Sequence, residues 1–339
     1  MALGNWRERV DGVRSRARRW PRELSALAAL TAAAAEFLLG HFWARNFIPQ
    51  LGFFALGISV VCVLARLPLA GAAWFGAAAL MLVPVLPAYL PRPAAVRAGC
   101  TVTVVNFNKE EDPPDDAGAI RLLASLHPDI VFIEKVYEPR RFGAALLAQG
   151  FAGYSTFPAF GSTLILSRFP IVQSEDGSAG ASVEIRVAGR SVRLLNMYVT
   201  RPNQNLRRYR AGYHALRRRL RREKGPLILA GDGNATVFAA EVSRLRALVR
   251  DAWEEKGFGL GATFPGPWRR AGALGPWMRI DYIFHNEAFD TAAVRRLDDA
   301  AGAGHYPVWA KLMLIGAGHA GEPCDGAHHP QPSTNMEKR

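Results

Sequence analysis

The most informative segment of this chain is Pro226-Leu227-Ile228-Leu229-Ala230-Gly231-Asp232-Gly233-Asn234-Ala235-Thr236. Its apolar run is typical of a short buried β-strand, and the run ends in a polar Gly-Asp-Gly-Asn turn. A carboxylate and an amide at the end of a buried strand can position a water molecule for reaction. The same turn would also fit an ordinary loop, so its meaning depends on the polar clusters that accompany it.

Five further polar clusters follow strand-like runs, at residues 106–108, 134–135, 196–198, 279–282 and 304–307. Polar residues at the ends of buried strands can converge on one rim of a two-sheet sandwich. Asn, Asp and His gathered there supply a group that activates water, donors for phosphate oxygens and acidic ligands for a divalent cation. The order and spacing of the clusters therefore indicate phosphodiester chemistry more specifically than any single cluster does.

Strand-like and helix-like runs alternate through residues 100–316. The predicted strands are 101–107, 130–133, 163–166, 182–187, 192–199, 227–230, 280–284 and 308–314, and the predicted helices are 117–126, 142–149, 207–222 and 239–248. This pattern indicates an α/β (α+β) four-layer sandwich, in which two packed β-sheets are flanked by helices and an all-α transmembrane region precedes them.

The amino-terminal third reads as a membrane region. Residues 1–22 hold seven arginines, and apolar runs follow at 24–43, 48–65 and 67–90. Each run is about the 17 to 25 residues that a helix needs to cross the hydrocarbon layer, and Pro84 and Pro87 should bend or shorten the third. Basic residues favour the cytoplasmic side, so three spans predict a multi-pass protein of the cell inner membrane with its later domain on the outer, periplasmic side. An even number of spans would reverse this sidedness.

The predicted organisation is a basic cytoplasmic segment (1–22), a transmembrane region of about three helices (23–90), a linker (91–99), the sandwich domain (100–316) and a disordered tail (317–339). A hydrophobic content of 50% and a mean hydropathy of +0.02 fit a membrane segment joined to a soluble domain. The net charge of +13 favours polyanionic partners without choosing among nucleic acid, an anionic lipid surface and phosphorylated small molecules.

The three cysteines are Cys62, Cys100 and Cys324, and no pair has the spacing of a structural zinc site. Cys100 and Cys324 flank the sandwich domain and could form a disulfide in an oxidising compartment. Two unrelated free thiols are the alternative.

Several motifs resemble those of the endonuclease/exonuclease/phosphatase superfamily. The family's G-D-x-N stands at residues 231–234, its I-D-Y at 280–282, its S-D-H-x-P at 303–307 and its D-I-V-x-L-Q-E at 129–135, while its opening strand ending in Asn matches 104–108. The resemblance implies hydrolysis of phosphodiester or phosphomonoester bonds with a divalent metal, Mg or Mn. The substrate it implies is phosphorylated: nucleic acid, phospholipid or sugar phosphate.

The resemblance also implies roles for single residues. Asp232 would activate the attacking water, and Asn234 would hold a phosphate oxygen. His305 would be the second catalytic group, oriented by Asp281. Asn108 would assist phosphate or metal binding.

Three positions depart from the family pattern. Lys135 stands where the family has a metal-binding Glu, and Gly304 stands where it has an acidic ligand, so two carboxylates are missing. Because strand side chains alternate, we expect Glu134 to face away from the site unless a bulge turns it inward. Glu110 and Asp232 remain candidate metal ligands, and Glu134 is a further candidate if such a bulge is present. The Lys135 ammonium could instead take roughly the place of the cation and bind phosphate directly.

The third departure is Tyr198, where many members of the family have His. The stretch Met197-Tyr198-Val199 resembles the exonuclease III branch of the family, which uses Tyr there near the phosphate. The alternative is a Tyr that simply closes the strand. The leading hypothesis is a membrane-anchored phosphoric ester hydrolase whose partners are the lipid bilayer and a phosphorylated substrate. The alternative is a catalytically weakened or inactive homologue that binds a phosphorylated ligand.

Overall fold

The computed structural model describes residues 45–90, 92, 96–110, 116–159, 162–177, 180–267, 269–319 and 321–324. The predicted basic segment 1–22, the apolar run 24–43 and the end of the predicted tail, residues 325–339, lie outside the described residues. The chain divides into two compact units. The first comprises the residues up to Pro87 together with the short segment Phe238–Ala240, and the second comprises the residues from Ala88 onward apart from that segment.

The first unit contains two apolar helices, α1 (Ile48–Leu64) and α2 (Pro68–Leu82), and a 3-10 helix (Val83–Tyr89) continues from α2. A Cβ at Gly71 would lie 2.7 Å from the Val63 side chain, so the helices approach closely where α2 has no side chain, and Ser59 Oγ donates to the Gly71 carbonyl at 2.7 Å. As the prolines predict, the α-helix ends at Leu82. Pro68–Tyr89, 22 residues with a hydropathy of 2.0, is the one described helix long and apolar enough to cross a membrane, and Ile48–Leu64 is apolar but shorter.

The second unit is built on two six-stranded sheets. The strands, numbered along the chain, are β1 (Gly99–Asn108), β2 (Ile130–Glu134), β3 (Ser155–Ala159), β4 (Thr163–Ser167), β5 (Ile171–Gly177), β6 (Gly180–Val187), β7 (Arg190–Tyr198), β8 (Leu227–Asp232), β9 (Arg250–Asp251), β10 (Asp281–His285), β11 (Phe289–Arg296) and β12 (Val308–Ile315). One sheet has the order β11-β12-β1-β2-β4-β3 and the other β5-β6-β7-β8-β10-β9.

Five helices accompany these sheets: α3 (Asp116–Leu126), α4 (Pro139–Ala148), α5 (Leu206–Leu220), α6 (Ala240–Arg246) and α7 (Ala252–Lys256). A second 3-10 helix spans Arg270–Leu274. The boundaries of the four helices predicted in this domain agree with α3 to α6 to within a few residues.

Apolar side chains fill the space between the sheets and the space beneath the helices. Val104 of β1 and Phe132 of β2 share one buried cluster with Ile228 of β8, which places them between the two sheets. Val105, which follows Val104 in β1, and Val131, which precedes Phe132 in β2, point the other way into a cluster with the residues of α3 and α4. The predicted sandwich of two packed sheets flanked by helices is confirmed.

The first part of the predicted disordered tail is folded. Cys100 and Cys324 form a disulfide across a sequence separation of 224 residues. Thr101 forms a parallel bridge with Pro323, and the Cys324 amide donates to the Thr101 carbonyl at 2.9 Å. The prediction of disorder from residue 317 is therefore wrong for residues 317–319 and 321–324. Backbone pairing and a cross-link hold a Gly-rich segment that could not bury enough apolar surface to fold by itself.

Candidate functional site

Strand pairing brings the predicted polar residues to one rim of the sandwich. The parallel pair β1 and β2 sets Asn108 opposite Glu134, and the parallel pair β7 and β8 sets Tyr198 opposite Asp232. The antiparallel pair β8 and β10 sets Asp281 opposite the same Asp232. Four of these residues, Asn108, Glu134, Tyr198 and Asp232, are the last residues of their strands. Because parallel neighbours end on the same edge of a sheet, each pair lies at the same edge.

Asp232 is buried, and three hydrogen bonds fix its carboxylate. Asn108 Nδ2 donates to Oδ2 at 2.9 Å, while the Asn234 amide donates to Oδ1 at 2.7 Å and Asn234 Nδ2 donates to Oδ2 at 2.9 Å. Asn234 Nδ2 also donates to the Val199 carbonyl. Burial, reinforced by the charge of Asp281, raises the pKa of Asp232 to about 7. The carboxyl group is therefore poised to accept a proton near neutral pH.

The turn that carries Asp232 and Asn234 requires both of its glycines. Gly231 has a φ of 145°, and a Cβ there would lie 1.9 Å from the Met197 carbonyl oxygen of β7. A Cβ at Gly233 would lie 2.7 Å from the Tyr213 hydroxyl, which donates to the Gly233 carbonyl at 2.8 Å. The close approach of β7 and of α5 thus fixes the loop.

His305 and Asp281 form a second buried pair. His305 Nδ1 lies 2.8 Å from Asp281 Oδ2, and Thr263 Oγ1 donates to the same oxygen at 2.5 Å. Burial alone would lower the pKa of His305, but the Asp281 charge and hydrogen bond raise it to about 10. The imidazole is therefore protonated at neutral pH, with Nδ1 donating to Asp281. The Phe264 ring packs against the imidazole, with 4.8 Å between ring centroids.

A cluster of cations surrounds the carboxylate of Glu110. Lys135 Nζ and Arg201 Nη2 contact its Oε1, Arg269 Nη2 lies 2.5 Å from its Oε2, and His305 Nε2 lies 3.7 Å from the same oxygen. We call Lys135, Arg201 and Arg269 the basic clasp. Burial would raise the pKa of Glu110, but hydrogen bonds from His305, Arg269 and Lys135 outweigh burial and hold that pKa well below its usual range. Burial lowers the pKa of Lys135, and the contact with Glu110 opposes that change.

Glu134 faces the inside of the sandwich, so the prediction that it would need a bulge is wrong. The alternation of β2 places Ile130, Phe132 and then Glu134 on the inner face, and the β1–β2 register is continuous to Glu134. Asn196 Nδ2 donates to Glu134 Oε1 at 2.7 Å, while Oε2 has no hydrogen-bond partner among the described residues. Burial, with the charge of Asp281, raises the pKa of Glu134 well above its usual range.

The charges around Glu110 do not suit a divalent cation. Glu110 is already neutralised by the basic clasp, and a divalent cation 4 Å from the Lys135 ammonium would meet a repulsion of about 8 kcal/mol at an effective dielectric of 20. Asp232, Asp281 and His305 are the one described group whose ligand atoms, all within 4.8 Å of one another, could hold an ion. Their carboxylates already accept hydrogen bonds from asparagine, threonine and histidine side chains. Asp281 Oδ1 and His305 Nε2 have no hydrogen-bond partner among the described residues. A protonated imidazole is not a metal ligand, however, and the basic clasp would repel a cation, so the residues present do not fit a divalent metal.

Tyr198, the remaining predicted residue, is partly buried at the end of β7. Burial raises the pKa of its phenol, with the charge of Asp232 adding to the effect, so the hydroxyl keeps its proton and can donate. Its contact with phosphate stays a prediction.

Sequence reasoning missed Arg201, Arg269 and Thr263 as site residues. Arg201 follows β7 by three residues, and Thr263 and Arg269 lie in a Gly-, Pro- and aromatic-rich loop before β10. In a chain with this many arginines, neither arginine stands out locally. Arg201 lies after β7 and Arg269 lies before β10, and both strands reach the site. Only this position in the chain could have indicated the two arginines.

Comparisons with known proteins agree with the fold of the second unit. A family model described as the Endonuclease/Exonuclease/phosphatase family matches residues 96–310. No curated protein matches the chain. D. rerio TDP2 complexed with single-strand DNA product has a TM-score of 0.52 at 17% identity, covering 62% of this chain and 98% of that one.

Two bacterial structures are similar to the same extent. An endonuclease/exonuclease/phosphatase from Bacteroides vulgatus has a TM-score of 0.52 at 16% identity, covering 63% of this chain and 99% of that one. A mannosyl-6-phosphatase from Bacteroides thetaiotaomicron has a TM-score of 0.51 at 15% identity, with coverage of 62% and 99%. At such identities the likeness establishes the fold alone.

Proposed function

The chain belongs to the Endonuclease/Exonuclease/phosphatase family, and from this premise we propose that it is a membrane-anchored hydrolase of phosphodiester or phosphomonoester bonds. The observation that carries the proposal is the meeting of two buried pairs on one rim. Asp232 is oriented by Asn108 and Asn234, and His305 is bonded to Asp281. A proton acceptor and a proton donor are thus held beside each other at a site rimmed by cations.

In the proposed reaction a water molecule attacks phosphorus in line with the leaving oxygen. Asp232 accepts a proton from the water as the new P–O bond forms. The bond from phosphorus to the leaving oxygen then breaks, and His305 Nε2 supplies the proton that this oxygen takes up. Asp281 keeps the imidazole oriented and charged. The family resemblance implies Mg or Mn as cofactor, and that requirement is measured directly in the assay below.

Three substrate classes remain within the proposal. One fold neighbour is described with a DNA product and another as a mannosyl-6-phosphatase, which supports nucleic acids and sugar phosphates. The apolar helices support phospholipid, because an anchored domain would meet lipid headgroups. The net charge of +13 favours any of these anions.

We propose that the helices anchor the chain in the cell inner membrane with the sandwich domain on the outer side. The apolar helix Pro68–Tyr89 supports anchoring, and the Cys100–Cys324 disulfide supports an oxidising compartment. An alkaline phosphatase reporter, which is active only outside the cytoplasm, tests the sidedness when fused after Arg339. Reporter activity is expected, and its loss together with fluorescence from a cytoplasmic reporter at the same position would reverse the assignment.

A second candidate function is the binding of a phosphorylated ligand without turnover. Lys135 and Gly304 favour it, because they stand where the family resemblance places two metal-binding carboxylates. Without these ligands the lowering of a water pKa by a metal is lost.

Turnover by the full chain in detergent separates the two functions. The substrates are bis(p-nitrophenyl) phosphate and p-nitrophenyl phosphate, each with Mg, with Mn and with chelator. Asp232→Asn and His305→Gln should each lower kcat by about a hundredfold or more, whereas His214→Gln, on the exposed face of α5, should not change it. Absence of turnover by the natural chain in every condition would favour the binding function, and full activity of His305→Gln would remove His305 from the mechanism.

A further inference from the structure

The basic clasp is assembled from three separate parts of the chain. Lys135 follows β2 with a left-handed φ of 57°, Arg201 follows β7, and Arg269 precedes the 3-10 helix Arg270–Leu274. All three side chains contact the single carboxylate of Glu110. Three cations against one carboxylate leave an excess of two positive charges, which is close to the charge of about −1.5 to −2 on a phosphate monoester.

The clasp also lies on the side from which a substrate would enter. The side chains of Lys135, Arg201 and Arg269 are 22%, 25% and 28% exposed, whereas that of His305 is 1% exposed. A phosphate group approaching His305 therefore meets the clasp first. An anion in the position of the Glu110 carboxylate is beside the proposed proton donor, because His305 Nε2 is 3.7 Å from Glu110 Oε2.

The backbone of Glu110 is held independently of its side chain. Its amide donates to Asn108 Oδ1 at 3.1 Å, and its carbonyl accepts from the Gly304 amide at 2.5 Å. The carboxylate can therefore leave the clasp by side-chain rotation alone. Two carboxylate oxygens present the same acceptors to arginine and lysine as two phosphoryl oxygens do.

We propose that the basic clasp is a phosphate-binding subsite, and that the Glu110 carboxylate is its resident anion, displaced by the phosphate group of the substrate. The subsite binds phosphate without a divalent cation. This inference rests on the proposed function only in that the site takes a phosphoric ester. It places Lys135, Arg201 and Arg269 in contact with the substrate.

Inorganic phosphate, titrated into the full chain in detergent with excess chelator and followed by calorimetry, tests the proposal. Glu110→Gln removes the competing anion and should tighten phosphate binding by about tenfold or more. Arg201→Met and Arg269→Met should each weaken binding by about tenfold or more, because each removes a close charge. The matched control is Arg270→Met, which changes the exposed neighbour of Arg269 and should leave binding unchanged.

Phosphate binding that requires added Mg or Mn would overturn the proposal, and so would weaker binding by Glu110→Gln. Loss of folding cannot tighten binding, so tighter binding by Glu110→Gln supports the proposal even if an arginine variant proves unstable. Clasp-dependent binding without turnover in any condition would sink the hydrolase function and leave the subsite standing. Turnover by a chain that binds no phosphate in the presence of chelator would support the hydrolase function and overturn the subsite.

Discussion

Removing the disulfide between Cys100 and Cys324 should strongly destabilise the sandwich unit. The cross-link closes a sequence separation of 224 residues, which contains eleven of the twelve strands completely and most of β1. For a loop of that length the chain-entropy relation, 2.1 + 1.5R ln n in cal/mol/K, gives about 5 kcal/mol at 25 °C. Observed losses on removing native disulfides are about 2 to 5 kcal/mol, so the relation gives the upper end of the expected range.

The assay is urea unfolding of the full chain in detergent, followed by tryptophan fluorescence. Trp253 and Trp309 both belong to the sandwich unit. The Cys100→Ser, Cys324→Ser double variant should unfold at a lower urea concentration than the natural chain. Cys62→Ser, which changes the free thiol of α1, is the matched control and should unfold like the natural chain.

Reduction gives an independent measure of the same cross-link. Dithiothreitol should lower the midpoint of the natural chain to that of the double variant and leave the double variant unchanged. The stabilising role would be refuted if dithiothreitol left the urea midpoint of the natural chain unchanged and the double variant had the same midpoint. That result would also remove the main support for an oxidising compartment.

Two further predictions concern acid stability and the backbone beside the site. Glu255 Oε2 lies 3.2 Å from His285 Nε2; burial raises the pKa of this carboxyl, but the bond with His285 and the nearby charges lower it from 4.5 to about 2. The lowered pKa contributes about 3 kcal/mol to the free energy of unfolding. This contribution is complete above pH 4.5 and is lost as the pH falls through 2. The urea midpoint of Glu255→Gln should therefore fall less than that of the natural chain between pH 4.5 and 2. Gly304→Ala should cost about 1 to 3 kcal/mol in urea unfolding, because its Cβ would lie 2.8 Å from the Glu110 carbonyl oxygen, while Gly225→Ala, in open space, should be nearly neutral. A neutral Gly304→Ala or an unchanged acid decline would contradict the respective argument.

The strands predicted from the sequence and the strands missed differ by their place in the sheets. All eight predicted strands are present, and the four missed strands, β3, β5, β9 and β11, are the edges of the two sheets. Central strands such as β8 are buried at every position, so they appear as apolar runs. The edge strand β3 is partly exposed along most of its length and contains Pro158, and β5 ends in polar residues. Edges are half-solvated and have no apolar run to detect.

The site divides in a similar way. Asn108, Asp232, Asn234, Asp281 and His305 stand in motifs tied to strand ends, so the sequence predicts that they converge, and the structure brings them together. The basic clasp joins residues from three loops, and its members come together only through the tertiary fold. The sequence also could not predict the direction of the Glu134 side chain. That direction depends on which face of β2 meets the other sheet.

The residues that depart from the family pattern depend on one another. Gly304 leaves room for the Glu110 backbone, since a Cβ there would lie 2.8 Å from its carbonyl oxygen, and Lys135 neutralises the Glu110 carboxylate. An Asp side chain at position 304 would therefore clash with the Glu110 backbone through its Cβ, so it could supply a metal ligand only if that backbone moved. Restoring Glu at position 135 would set two carboxylates side by side and leave Arg201 and Arg269 to repel a metal. A Lys135→Glu, Gly304→Asp double variant should consequently lose stability without gaining metal-dependent turnover, because Arg201 and Arg269 would still repel a cation.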